Sequence, residues 1–550
     1  MFSSLLTKLV WFLWLFTLLF AWWFIPPRID DGIYLFPAIS VLNNYPPSGI
    51  INDLVQPIFY IFPTQPFFHG LFLKLLSFFS IEIGINTYRV FNYLLLVVLF
   101  YLIYSLFYNL FSNPLHRIGA ANISLILLGF SQFSTQFFVN RPEILGLVFF
   151  VLGLKFSVKF ITSIKNSNLN ISISLISFGL CAVVHPNFLI LSIPIIIYLI
   201  WRMFIDIRIE FLRFLPLALI PAVIYTSWFF INFEVANDQF FARLSQASGG
   251  GFLNFSGIIE LLSVIIGSSD NSLAHKIYLS AHMSTLLILI ICLLVCLCLR
   301  SKFYRGDTRV TNLFRFLSIA ILLLLVFMES WPPNYLLLSF LSTITVVFFV
   351  TNLSYNKLDS MLLKNYVFFH KYLSSRFLII CISILSITSL PVLQSIKVYA
   401  YDGKYFNHHV ALKIINPMTE NKQIFINSPQ LLPLFANKID DKFKKLDLKE
   451  VEDFRWYFPI HKNPSNKSQD LMLETIENDL ELMQGALWGT LKEYFLFDKK
   501  SNQACLILTG RKYFVEIEGI NLIYEDRDNI FFKSDSVKLI SKARCYDFIK

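Results

Sequence analysis

Residues 5–34 read LLTKLVWFLWLFTLLFAWWFIPPRIDDGIY, a long apolar run that ends in two prolines and an acidic pair. About 20 apolar residues in a helix cross the hydrocarbon core of a bilayer. The short basic start before the run resembles that of a signal peptide, but Trp22-Trp23 and Pro26-Pro27 stand where small residues would form a cleavage site. We therefore predict a retained membrane-spanning helix over residues 5–24.

The composition of the whole chain agrees with a membrane protein. Of 550 residues, 56% are hydrophobic, 17% are aromatic and 15% are charged, whereas about a quarter of the residues in soluble domains are charged. The net charge of +10 comes from Lys and Arg in short loops between apolar runs. That distribution indicates membrane topology rather than a nucleic-acid surface, so we expect the lipid bilayer as a partner and no nucleic acid.

Apolar runs recur as far as Ile396, and by length we predict about eleven spans. They are residues 5–24, 91–111, 118–138, 144–161, 171–184, 188–204, 214–233, 283–299, 316–328, 335–350 and 377–396. The runs at 171–184 and 316–328 are short, so each is either re-entrant or extended by polar flanks. We predict a polytopic helical bundle over residues 1–396.

The basic loop residues predict the orientation of the bundle. With the N-terminus in the cytoplasm, every short basic loop falls on the cytoplasmic side, as the positive-inside rule requires. These loops contain His116, Arg117, Lys165, Arg202, Arg208, Arg213, Arg300, Lys302, Arg305, Arg309, Lys357, Lys364, Lys371 and Arg376. The loops 25–88 and 234–282 and everything after Lys397 then lie outside a bacterial inner membrane or plasma membrane.

Residues 397–550 change character, because charged residues become frequent and long apolar runs stop. Strand-like segments at 423–427, 505–509 and 521–524 alternate with an amphipathic stretch at 468–483, which predicts a small α/β domain. Cys505 and Cys545 are its only cysteines. An oxidising outer compartment allows them to form a disulfide, which we predict.

The acidic pair Asp30-Asp31 follows the first span and Pro26-Pro27. Carboxylates beside lipid are costly unless they are solvated, paired or used. One interpretation is structural: either residue caps an interfacial helix that runs toward Asn43. The other is catalytic, and the two are compatible because a cap also fixes the position of a carboxylate.

The order of first span, acidic pair, tyrosine, Pro-rich outer loop and arginine at the second span resembles the GT-C membrane glycosyltransferases. Among these, the chain looks most like the protein O-mannosyltransferases, the aminoarabinose transferases of lipid A and related bacterial sugar transferases. In that family the pair is Asp-Glu followed by Tyr, and its first carboxylate is the catalytic candidate. The resemblance assigns these positions to Asp30, Asp31 and Tyr34, and it implies a GT-C-type fold.

Other short segments carry the resemblance along the membrane region. Gln65 and His69 lie in a segment similar to the family's Lys-Pro-Pro segment before an interfacial helix, and Arg89 matches the family's arginine at the second span. Arg141-Pro142-Glu143 looks like its Arg-x-Asp element, and Tyr335 is similar to an outer-loop tyrosine. Asp31, Gln65 and Glu143 depart from the family's Glu, Lys and Asp, which leaves the sugar and the acceptor open.

Each of these residues also has a structural interpretation. Arg89 is then an interfacial arginine that extends toward water, and Arg141 pairs with Glu143 at the membrane edge. Tyr34 and Tyr335 are anchors of an aromatic belt. His185, at another outer helix end, is expected to line the pocket as a hydrogen-bonding residue rather than as an acid or base.

The resemblance implies an inverting transferase that uses a polyprenyl-phosphate-linked sugar and an extracytoplasmic acceptor. Asp30, helped by Asp31, would act as the base, and Arg89 and Arg141 would bind the donor phosphate. The substrate pocket would include Tyr34, Gln65, His69, Glu143, His185 and Tyr335. No cofactor is required, although Asp30 and Asp31 together are able to bind a divalent ion. The alternatives are a flippase or transporter for lipid-linked oligosaccharides and a non-catalytic envelope scaffold.

Overall fold

A computed structural model of the chain describes residues 2–24, 27, 29–42, 44, 64–84, 86–130, 137–163, 166–185, 187–206, 209–231, 286, 289–299, 304, 307–327, 332–352, 423–426, 433–434, 503–508, 520–525 and 542–548. Three predicted segments, the span 377–396, the outer loop 234–282 and the amphipathic stretch 468–483, lie outside these residues.

The described membrane region is helical. Its helices are α1 (Phe2–Phe24), α2 (Ile29–Leu42), α3 (Thr64–Phe78), α4 (Val90–Leu110), α5 (Pro114–Phe130), α6 (Pro142–Thr162), α7 (Ser167–Val184) and α8 (Asn187–Ile205), then α9 (Ile220–Ile231), α10 (Leu289–Cys298), α11 (Thr308–Phe327) and α12 (Pro332–Asn352). A 3₁₀ helix at Ile209–Ala218 precedes α9. In the described part of the chain, eight segments are long and apolar enough to cross a membrane, so the prediction of a polytopic helical bundle is confirmed.

Two spans that are short by apolar length alone form full-length helices. The run at 171–184 belongs to α7, which begins at Ser167, and the run at 316–328 belongs to α11, which begins at Thr308. Asp307 caps α11, because its Oδ1 accepts the backbone N–H of Arg309 at 2.8 Å. Polar flanks therefore extend both helices, as one of the two alternatives anticipated.

Two predicted spans have the wrong bounds. The span predicted at 118–138 is a helix, α5, that ends at Phe130, and residues 137–140 are not part of it. The carbonyls of Phe137 and Val139 instead accept bonds from the Asn92 amide at 2.7 and 3.2 Å. The span predicted at 214–233 starts at Ile209 as a 3₁₀ helix that contains Pro216, and proline lacks the N–H that an α-helix needs.

Hydrogen bonds from polar side chains join neighbouring spans. The Trp14 indole donates to the Leu125 carbonyl at 3.1 Å, which joins α1 to α5. Asn122 in α5 donates to Thr7 in α1 at 3.0 Å and accepts from the Tyr104 hydroxyl in α4. These polar side chains bond to neighbouring helices, because the bilayer core offers no water as an alternative partner.

Helix α3 is amphipathic and packs on α2. Its buried face carries Gln65, His69 and Gly70, while Phe67, Leu71, Leu75 and Phe78 are exposed on another stripe. A Cβ atom on Gly70 would lie 2.4 Å from the Val41 Cβ, so only glycine allows this close approach of α3 to α2. An amphipathic helix with an apolar stripe fits the membrane interface.

The C-terminal region contains a four-stranded sheet. Its strands are β1 (Gln423–Ile426), β2 (Gln503–Leu508), β3 (Ile520–Glu525) and β4 (Lys542–Phe548), in the order β1-β2-β4-β3. The β1–β2 pair is parallel, and the other two pairs are antiparallel. The sequence predicted β1, β2 and β3 to within two residues, whereas β4 was missed.

The register of the sheet bears on the predicted disulfide. Cys505 of β2 lies directly opposite Cys545 of β4 in the antiparallel pair. Opposed residues in such a pair have Cα atoms about 4.5–5.5 Å apart, which lies within the range that disulfides span.

We expect Cys505 and Cys545 to be bridged in protein purified without reductant, and thiol-trapping mass spectrometry measures this directly. Closing a loop of about 40 residues stabilises the folded domain by about 4 kcal/mol in the chain-entropy model. A Cys505→Ser variant is the control, because it should release one free thiol at Cys545. Alkylation of both Cys505 and Cys545 in promptly trapped wild-type protein would contradict the disulfide.

Candidate active site

A buried ion pair lies where helix α2 meets the start of helix α4. Arg89, the residue before α4, donates from Nη2 to Asp31 Oδ2 at 3.1 Å. The side chains are 1% and 0% exposed. Taking two charges out of water costs several kcal/mol per ion, and good geometry with further hydrogen bonds has to offset that cost.

Further contacts of the pair supply such bonds. Asp31 Oδ1 accepts the backbone N–H of Asn140 at 2.8 Å, and Arg89 Nη1 faces the Ala21 carbonyl at 3.5 Å. The Arg89 guanidinium also lies 5.2 Å from the centre of the Tyr88 ring. The pKa of the Tyr88 hydroxyl is raised well above its usual value, mainly by burial and against the opposing effect of Arg89, so the ring stays neutral.

Arg89 therefore points into the protein and neutralises Asp31. Its predicted contact with a donor phosphate remains a prediction, and any such contact would be shared with Asp31. Asp31 is the third residue of α2, and its carboxylate accepts hydrogen bonds from Arg89 and from the backbone of Asn140, which both lie outside α2. It is thus more than a helix cap.

A chain of hydrogen bonds extends from Asp31 through Asn140 to α3. Gln65 Nε2 donates to Asn140 Oδ1 at 2.8 Å, and Asn140 Nδ2 lies 3.1 Å from His69 Nδ1. His69 Nε2 lies 2.8 Å from the Tyr88 carbonyl oxygen. Because a carbonyl only accepts, Nε2 carries the proton and Nδ1 accepts from Asn140.

Burial lowers the pKa of His69 to about 4, although the bond to the Tyr88 backbone acts in the opposite direction. The ring is therefore neutral near pH 7, as its hydrogen bonds require. It also stacks on the Phe91 ring, with centroids 5.1 Å apart. Gln65 and His69, both predicted for the substrate pocket, thus hold the side-chain amide of Asn140, and His69 also holds the backbone carbonyl of Tyr88.

The arginine–glutamate element forms a second buried pair at the start of α6. Arg141 Nε and Nη2 donate to the two Glu143 carboxylate oxygens at 3.1 and 2.9 Å. Pro142 and Glu143 lie in the first turn of α6, where an acidic side chain interacts favourably with the helix dipole. The pairing expected on structural grounds is confirmed, and His185, at the end of α7, interacts electrostatically with Glu143.

The other predicted site residues are placed less fully. Asp30 lies in α2 beside Asp31, and its side chain is outside the described residues. Tyr34 in α2 and Tyr335 in α12 are both buried. Among the described residues no group of three potential metal ligands occurs, and a metal bound by Asp30 and Asp31 stays a prediction.

Sequence reasoning missed two asparagines. Asn92 of α4 holds the carbonyls of residues 137 and 139, and Asn140 joins α2 to α3. One signal was present: the polar residues of SQFSTQ at 131–136 interrupt the apolar run before Asn140. That interruption argues against one continuous span over 118–138.

Comparison with known proteins shows which fold the chain has. No protein-family model matches the chain, and no curated protein matches it. A solved structure does: the crystal structure of ArnT from Cupriavidus metallidurans bound to undecaprenyl phosphate superposes with a TM-score of 0.53 over 99% of this chain and 98% of that one. The chain has the ArnT fold. Sequence identity is 11%, so the likeness concerns architecture.

ArnT is an aminoarabinose transferase of the GT-C type, and the aminoarabinose transferases are among the groups that the sequence resembles. The expected GT-C-type fold is therefore confirmed. The ArnT fold covers the membrane region and the C-terminal region together, since almost all of both chains is matched.

Proposed function

We propose that the protein is an integral-membrane glycosyltransferase that moves a sugar from a polyprenyl-phosphate donor to an acceptor outside the cytoplasm. The observation that carries the proposal is the ArnT fold over nearly the whole chain. The ArnT structure holds undecaprenyl phosphate, which supports a polyprenyl phosphate as the lipid here. A buried Asp31–Arg89 pair beside Asp30 supplies polar groups where the resemblance places the reaction.

The chemistry proposed for the site is a single displacement. Asp30 takes the proton of the acceptor hydroxyl while that oxygen attacks the anomeric carbon. The bond from the anomeric carbon to the phosphate oxygen breaks, the phosphate keeps the electron pair, and the configuration inverts. The lipid carries the activated sugar, so no nucleotide takes part.

The described charges support different roles for the two carboxylates and the arginines. The charge of Asp31 is compensated by Arg89 and by the Asn140 N–H, which suits a residue that supports its neighbour. Arg141 is held by Glu143 in a bidentate pair. We assign Arg141 and Arg89 to the electrostatic environment of the leaving phosphate, where positive charge stabilises the group as its bond breaks.

The assay for the function is sugar transfer in reconstituted proteoliposomes with a panel of polyprenyl-phosphate sugars and extracted envelope lipids, glycans and proteins as acceptors. Donor-dependent labelling of an acceptor supports a transferase. Movement of an intact lipid-linked sugar across the bilayer without transfer would indicate the flippase. Neither activity across the panel would favour the scaffold.

The proposed reaction requires its site outside the cytoplasm. We expect a reporter fused after Ile415 to behave as extracytoplasmic, and one fused after Asn113, just before the basic start of α5, to behave as cytoplasmic, because basic segments at the ends of spans stay inside. Paired alkaline phosphatase and fluorescent protein fusions measure both. A cytoplasmic reporter after Ile415 would overturn the topology and the location of the site.

A further inference from the structure

The hydrogen bonds around Asn140 form a closed ring. Arg89 bonds to Asp31, Asp31 accepts the Asn140 N–H, Asn140 donates to His69, and His69 donates to the carbonyl of Tyr88, whose peptide leads back to Arg89. Asn140 thus contacts one member of the ion pair directly. It reaches the other through His69 and the backbone of residue 88.

Asn140 uses three different polar groups in this arrangement. Its backbone N–H serves Asp31, its Oδ1 accepts from Gln65, and its Nδ2 donates to His69. Gln65 and His69 are one turn apart on the buried face of α3, so the amide side chain of Asn140 binds α3 at two points. These bonds fix where the backbone N–H of residue 140 points.

Burial makes each hydrogen bond of the ring costly to lose. Asp31, Gln65, His69 and Asn140 are all buried, and a lost bond inside a protein leaves a desolvated partner rather than one rehydrated by solvent. If the Asn140 amide is removed, the Asn140 N–H loses its two anchors on α3 and keeps the bond from Asn92 to the Val139 carbonyl of the same peptide. The position of the first turn of α2, which carries both Asp30 and Asp31, then becomes less defined.

We propose that Asn140 is a positioning residue: it orients Asp31, and through Asp31 the first turn of α2, for the transfer reaction. The inference rests on the proposed function for its kinetic meaning. It assigns no contact between Asn140 and substrate.

The first experiment is Asn140→Ala in the proteoliposome transfer assay, with rates given per folded protein. This variant removes the amide and keeps the backbone N–H. We expect kcat to fall by about 10-fold while the KM for the donor changes by less than about 3-fold, because misplaced reacting groups slow the chemical step more than binding. In an Asp31→Asn background the same change should have no further effect on kcat.

Asn122→Ala is the matched control. Asn122 is also a fully buried asparagine with side-chain bonds to two neighbouring helices, and it lies outside the ring. It should lower thermal stability and leave kcat per folded protein unchanged. If Asn140→Ala does not fold, Gln65→Met is tested instead, because it removes only the Gln65–Asn140 bond. It should also lower kcat with little change in the KM for the donor, but by a smaller factor.

Thermal unfolding separates this inference from the proposed function. The effects of Asn140→Ala and Asp31→Asn on the unfolding midpoint should be less than additive, whether or not any sugar is transferred. If the wild type transfers no sugar but the two substitutions still show this coupling in thermal unfolding, the proposed function is wrong and the hydrogen-bonded ring is supported. Additive midpoints, or an active enzyme in which Asn140→Ala keeps full kcat, would overturn the positioning role.

Discussion

Asp30→Asn is expected to lower turnover by about 100-fold or more while the protein still folds and binds its donor. Asparagine has the size of aspartate and retains much of its capacity to bond free backbone N–H groups at a helix start. It lacks the basic carboxylate that accepts the acceptor's proton. Asp30 is in the first turn of α2, and α2 packs on α3 through the close approach of Val41 to Gly70.

The measurement is transfer from a polyprenyl-phosphate sugar, with the amount of folded protein determined for each variant. Asp31→Asn is the matched comparison one residue away. It should reduce turnover less than Asp30→Asn, unless both carboxylates bind one metal ion, in which case the two variants should lose activity together and lose their response to added divalent ions. Near-normal turnover by Asp30→Asn would refute its assignment as the base.

Arg89→Ala is expected to lower the free energy of unfolding by about 3–5 kcal/mol, because it leaves a buried carboxylate without its counter-ion. Asp31 and Arg89 are 0% and 1% exposed, so water does not readily replace the guanidinium. The family resemblance, which assigns Arg89 to the donor phosphate, predicts weaker donor use from this change. The geometry adds a loss of folded protein, measurable as a lower unfolding midpoint in detergent.

A double variant tests the explanation. Arg89→Met with Asp31→Leu removes both charges and keeps apolar volume, and such replacements are often neutral or stabilising. It should recover most of the unfolding free energy lost in Arg89→Ala while remaining impaired in transfer. Arg309→Ala is the control, because it breaks the partly exposed pair with Asp307 and keeps Asp307 as the cap of α11; losing such a pair costs at most about 1 kcal/mol. An Arg89→Ala protein as stable as wild type would contradict the buried pair.

The sequence predicted the fold well because its strongest signals are local. Long apolar runs such as 91–111 and 144–161 became α4 and α6 nearly to the residue. Bounds failed where long-range contacts compete with a run, as at residue 137, whose carbonyl is bound by Asn92. A hydropathy pattern carries no information about such a contact.

The candidate site was predicted in its members but not in their relations. Asp31, Arg89, Gln65 and His69 were all named, and the structure brings them together through Asn140, which was not. The identities of Arg141 and Glu143 at a spacing of two allowed their pairing to be anticipated. Which buried partner Arg89 takes depends on residues 58 positions away, and no local pattern encodes that choice.

The strand order of the C-terminal sheet has a consequence for biosynthesis. β4 follows β3 in the chain but lies between β2 and β3 in the sheet, so β3 has no partner in the described sheet until β4 has been synthesised. The parallel β1–β2 pair likewise waits for the 76 residues between Ile426 and Gln503. Domains generally fold as units as the chain emerges. The described sheet is completed only once β4 has emerged, and a ribosome stalled before Lys542 would leave β3 unpaired and one edge of β2 open to aggregation.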